Sequence, residues 1–164
     1  MKQQSFSNLE YENRKKRTRK DILLETLEEI LPWTEWAEAV QPYYYNKRRG
    51  RKPVGIESMI RMYIMQEVFG LSAESAEDGI YDSYAMRSFM NLDFFEDTVP
   101  DASTLQRFRR LLKKHGLDEK LETEMNAILK AKSLRLRKGH SEDAWIMKIS
   151  KRKKKAKKPA EAAK

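Results

Sequence analysis

The stretch Ile56 to Phe69, IESMIRMYIMQEVF, is apolar on almost every side of a helix, through Met59, Ile60, Met62, Tyr63, Ile64, Met65, Val68 and Phe69. A helix of this kind has no face to offer to water, so it must be wrapped by other elements at the centre of a bundle. Gly70 stands where a helix ends in the left-handed region, and Ser72 is placed to cap the next helix. The rest of the chain is therefore read as the material that covers this central helix.

Helical periodicity runs through most of it. Only 6 Gly and 5 Pro interrupt the chain, and no alternating β-branched run precedes about residue 144. Thr18 and Asp21 form a capping-box-like start to a helix whose Ile22, Leu23, Leu24, Leu27, Ile30 and Leu31 largely share one face, with Glu25, Glu28 and Glu29 opposite. Pro32 interrupts it and begins a short second helix from Trp33 through Val40, which Pro42 ends. After the central helix, further helices are expected from Ser72 to about Tyr81, over residues 83–91, from Thr104 to His115, and from Leu117 to Lys132 after Gly116. Residues 133–140 read as a linker and Ala144 to Ile149 as a short strand. The expected fold class is all-α: a compact helical bundle with a helix-turn-helix-like element, then a short strand and a disordered lysine-rich tail. The expected organisation is a mobile polar arm over 1–17, a helical body over 18–132, a linker with a strand over 133–149 and a basic tail over 150–164.

Charge narrows the function classes. The chain has 164 residues, a net charge of +9 and a sequence pI near 9.6. Nine Lys or Arg against one acid fall in residues 148–164, so most of the excess is in the tail. Val54 to Ala102 is acidic, with ten carboxylates against Arg61 and Arg87. A basic chain favours nucleic acid, with an anionic membrane surface as competitor. The absence of cysteine excludes disulfides and Cys-ligated zinc. MKQQSFSNLEYENRKKR has no apolar signal-peptide core and no segment approaches 18 consecutive apolar residues, so the expectation is a soluble, cytoplasmic, nucleoid-associated protein without membrane contact.

The sharpest functional feature is the helix Thr104 to His115. With Leu105 at 0°, Phe108, Leu111 and Leu112 fall at roughly 300°, 240° and 340°. Arg107, Arg109, Arg110, Lys113 and Lys114 fall between roughly 40° and 200°. One face packs and the other is cationic, as in a recognition helix that meets phosphates and base edges in a major groove. None of the five has an acidic i,i+4 partner within the helix. The second feature is the loop Lys47 to Lys52, where Arg48, Arg49, Arg51 and Lys52 surround Gly50 and suit a phosphate backbone. The run Arg14 to Lys20 has two readings, a mobile DNA arm or a solubilising stretch. So has the tail KRKKKAKKPAEAAK, a counterion-releasing DNA tail or an accidental terminus. His115 suits a helix C-terminus better than catalysis, and His140 has no evident partner. Tyr43, Tyr44 and Tyr45 have two readings, stacking on bases or, favoured, packing beside Trp33 and Trp36. No Gly-rich phosphate loop, zinc spacing or nucleophile elbow is present.

Several of these pieces occur together in an order that resembles one family. They are the basic loop with GRKP, the helix ending in FGLS with SMIRMYIMQ inside it, MRSFMNL, and PDASTLQRFRRLL followed by HGL. Over roughly residues 5–149 the chain resembles insertion-sequence-five family transposases. That resemblance implies a helical amino-terminal domain binding the element's terminal inverted repeats in double-stranded DNA. It also implies a following ribonuclease-H-like domain whose Asp-Asp-Glu triad holds two magnesium ions. Asp143 in SEDAWIM matches the first of these carboxylates, so it is the candidate catalytic and metal-binding residue of a completed catalytic domain. Only 21 residues follow it, and Glu161 is their one acid. The expectation is thus the DNA-binding part of a truncated transposase, needing no cofactor of its own and inert alone. The alternatives are the first part of a split or frameshifted enzyme completed by a second polypeptide, or a module that self-associates or dimerises with the full-length transposase as an inhibitor.

Overall fold

The computed structural model describes residues 6–44, 54–92, 97–139 and 143–149. Over these residues the protein is a helical bundle with one small hairpin. The helices are α1 (Phe6–Glu12), α2 (Arg19–Ile30), α3 (Trp33–Tyr44), α4 (Ile56–Phe69), α5 (Ala73–Asp82), α6 (Tyr84–Phe89), α7 (Ala102–Lys114) and α8 (Leu117–Ala131). The strands are β1 (Leu134–Lys138) and β2 (Ala144–Lys148).

The apolar stretch is the central element that its composition requires. In α4, Met59, Ile60, Met62, Ile64, Met65 and Val68 are all buried, and α3, α5, α7 and β1 pack around it. Its end is local chemistry. Gly70 adopts φ 64°, and the Leu71 amide donates to the Gln66 carbonyl at 3.0 Å, closing a 6→1 Schellman turn. Arg61 also enters the core, at 4% exposure. Its guanidinium donates to Glu57, to Glu28 and to the Phe89 carbonyl (2.8 Å), and lies over Trp33 at 4.4 Å. Burial alone would lower its pKa, but hydrogen bonds to Glu28 and Glu57 outweigh that and raise it.

Four caps sit where the sequence places them. The Thr18–Asp21 capping box starts α2, Ser72 caps α5 with a hydrogen bond from the Ser75 amide (3.0 Å), and Gly70 and Gly116 mark the breaks after α4 and α7.

Three expectations change. Within the arm expected over 1–17, residues 6–12 form α1, and Tyr11 and Arg14 are docked: the Tyr11 ring lies 3.9 Å from that of Tyr84, and Tyr11 hydroxyl and Arg14 both meet the buried Asp21 carboxylate. Asp21 also closes the α2 cap, so it attracts the neighbouring donors. Helix α3 runs past Pro42 to Tyr44. Proline only removes one amide near a helix end, and the extra turn is held by Tyr43 and Tyr44 packing on α7. The linker expected over 133–140 contains β1, paired antiparallel with β2 in the register Leu134↔Lys148, Leu136↔Ile146, Lys138↔Ala144. Leu134, Leu136 and Ile146 are turned to the core while Arg135 and Arg137 are exposed, the period-2 alternation of a half-buried ribbon. A lone hairpin is marginal in water, and here β2 rests on α2.

Candidate nucleic-acid interface

Helix α7 begins at Ala102, two residues before the start expected from periodicity, with Asp101 as its N-cap. The Asp101 carboxylate accepts from the Thr104 amide (2.8 Å) and the Ser103 hydroxyl (3.0 Å), the geometry of an N-cap. Hydrogen bonds from Thr104, then from Ser103, together with Arg107, hold this carboxyl below its usual range. Glu77 of α5 accepts from the Ala102 amide at 2.9 Å and ties the first turn down.

The helix then divides as its sequence requires. Leu105, Phe108 and Leu112 are buried; Gln106, Arg107, Arg109, Arg110, Lys113 and Lys114 are exposed. The packing face is fixed by aromatic contacts, with Phe108 edge-on to Tyr44 (5.8 Å) and Tyr63 (6.5 Å). The cationic face is less uniform than the sequence suggests. Arg109 pairs with Glu67 of α4 at 2.9 Å and lies over the Tyr63 ring at 5.8 Å. Arg107, Arg110, Lys113 and Lys114 make no ion pair among the described residues. Their charge faces solvent on a helix whose other side is locked, an arrangement suited to an anionic polymer.

Arg48, Arg49, Arg51 and Lys52 lie outside the described residues, as do His140 and the lysine tail. Tyr44 and Val54, on either side of that stretch, are described, and Tyr44 stands against Phe108 of α7. Tyr44 hydroxyl donates to the Val54 carbonyl, joining the loop's ends, and Tyr43 stacks on His115 at 4.0 Å. Tyr43 and Tyr44 thus pack on α7 and its C-cap rather than beside Trp33 and Trp36, because the α3 extension carries them there. His115 is the α7 C-cap with this stacking role. The helix-turn-helix expectation meets a looser arrangement. Helix α5 packs beside α7, but α6 and residues 90–101 intervene, far more than the 3–4 residues of a tight motif.

Asp143 lies just before β2. Its carboxylate accepts from Arg19 at 3.2 Å, and its carbonyl accepts from the Gly139 amide at 2.8 Å. Arg19 also lies 4.4 Å over the Trp145 ring. No group of three His, Cys, Asp or Glu side chains able to hold a metal occurs among the described residues. A single carboxylate engaged by arginine does not fit a two-metal centre. The Arg19 pairing, the Arg109–Glu67 bridge and the stacking of Tyr43 on His115 are tertiary, and no local signal in the sequence announces them.

Among the described residues no helix is long and apolar enough to cross a membrane. No solved structure matches the chain. A family model described as Transposase domain (DUF772) matches residues 12–111, a span that runs from the end of α1 into α7 and leaves out the hairpin and Asp143. With well over half of its length matched, the helical body just described belongs to the transposase-domain family.

Proposed function

We propose that this chain is a DNA-binding part of a transposase of the insertion-sequence-five type, recognising the terminal inverted repeats of its element. The observation that carries the reading is the exposed face of α7. Arg107, Arg110, Lys113 and Lys114 project there without ion-pair partners among the described residues, from a helix held by Leu105, Phe108 and Leu112. Arg107 and Arg110 are assigned base-edge contacts, since a guanidinium fork can pair with guanine, and Lys113 and Lys114 phosphate contacts. The basic residues Arg48, Arg49, Arg51 and Lys52 are assigned phosphate contacts from a loop rooted beside the same helix.

The test is equilibrium binding of the full chain to a duplex carrying the element's end and to a scrambled duplex of equal length. Wild type should prefer the repeat. Arg107→Ala and Arg110→Ala should each cost about 1–3 kcal/mol of discrimination. Equal loss on both duplexes would reduce these arginines to phosphate contacts, and unchanged preference would remove α7 from recognition.

A further inference from the structure

Beside the cationic face of α7 is a cleft of about 590 Å³ between α4 and α7, bordered by the first turn of α5 at Ala73. Tyr63 and Gln66 of α4 form its floor, Gln106, Arg109, Arg110 and Lys113 of α7 line one side, and Asp118 in the first turn of α8 is the one carboxylate in its lining. Its size falls within the range of about 300–1,000 Å³ typical of small-ligand sites.

The floor holds an anomaly. Gln66 is 4% exposed, yet its side-chain oxygen has no hydrogen-bond partner among the described residues. A buried acceptor without a donor is costly, and such groups in folded proteins call for a reason. Helix packing does not by itself demand glutamine here, since the residues that share its side of α4, Met62, Tyr63 and Phe69, are all buried and largely apolar. Tyr63 next to it stays a neutral hydroxyl, because burial and then Glu67 push it up to about 12.

Resting on the DNA-binding reading above, we propose that the cleft receives one unpaired nucleotide of the bound DNA. Its base enters against Gln66, and its phosphate stays at Lys113. The two ends of the cleft ask for different chemistry. The α7 side presents cations and suits a phosphate held clear of Asp118. The Gln66 oxygen is an acceptor, which a phosphate's acceptor oxygens cannot satisfy but the N–H of a base edge can. Arg109 is held aside by Glu67, which keeps it on the wall of the cleft.

The experiment measures fluorescence anisotropy of the full chain with two duplexes of one sequence, fully paired or carrying one unpaired nucleotide. Wild type should bind the second about tenfold more tightly. Gln66→Met, of similar length but without the acceptor, should erase that preference and leave affinity for the paired duplex unchanged. Should Gln66→Met fail to fold, Gln66→Asn keeps the amide, withdraws it by one methylene and should weaken the preference in the same way. Adenosine monophosphate should compete for the preference, and inorganic phosphate should not. Equal binding of both duplexes by wild type, a preference that survives in the Gln66 variants, or equal competition by inorganic phosphate would each overturn the proposal while leaving the α7 interface standing. Failure to bind either duplex would overturn both.

Discussion

Arg61 and Asp101 show how single side chains hold this bundle in the shape its interface needs. The Arg61 guanidinium joins α4 to Glu28 of α2 and to the carbonyl that ends α6. Removing it leaves that buried carbonyl unpaired and opens a void beside Trp33. Arg61→Ala should cost about 2 kcal/mol, chiefly from the unpaired Phe89 carbonyl, since Glu28 and Glu57 are half exposed and rehydrate, read as a drop in the urea midpoint. Arg61→Lys should rescue little, because an ammonium cannot reach two carboxylates and a carbonyl as a planar fork does. Asp101 acts through protonation. Its folded-state pKa is lowered, chiefly by Thr104, so its contribution is fully present above the ordinary value of 3.8 and is lost as the pH falls through the lowered value. Thermal melts should show wild type losing stability relative to Asp101→Asn as the pH drops below 3.8, because asparagine caps a helix without titrating. Parallel melting curves for the two proteins down to strong acid would contradict this. The Asp101 cap stands in the sequence as PDAS, next to the helix it starts. Arg61 stands out there only as a cation in an apolar stretch, and its partners come from elements 33 and 28 residues away.

At the scale of elements, the boundaries set by local chemistry were readable and those set by packing were not. Thr18, Gly70, Ser72 and Gly116 each act on the turn they terminate, and α2, α4, α5 and α8 begin or end at them. Gly70 gives the element-scale test. It sits at φ 64° with open space around its Cα, so Gly70→Ala meets no clash and only the left-handed strain remains. That substitution should destabilise by about 1 kcal/mol in chemical denaturation, and a neutral result would contradict the Schellman closure of α4. By contrast, Pro42 looks like a helix end, and the rings of Phe108 and His115 that hold the next turn lie more than sixty positions along the chain. The hairpin was half legible. AWIM is apolar enough to read as a strand, whereas LRLRK offers two leucines among cations of poor strand propensity and becomes β1 only by pairing with its neighbour. On α7 the division into a packed and a cationic face followed from spacing alone, and the loss of Arg109 to Glu67 did not, since it depends on where α4 lies.

Across the whole molecule the charge is segregated. The acidic segment from Val54 to Ala102 includes the core helix and its coverings, and the basic residues gather in α7, residues 47–52, the run 14–20, residues 130–138 at the end of α8 and along β1, and the tail. Removing residues 150–164 should lower affinity for any duplex and flatten the dependence of log Kd on log salt. It should leave the preference for the repeat intact, because lysine contributes by counterion release without reading bases. A deletion that abolished sequence preference would transfer recognition from α7 to the tail. The central claim is that duplex DNA lies against α7, and photo-crosslinking of the full chain to a repeat-end duplex, with the attachment sites mapped by mass spectrometry, tests it most directly. Crosslinks concentrated on residues 106–114, with a second group on 47–52, are the expected result. Crosslinks confined to the hairpin and the tail, with none on α7, would contradict it.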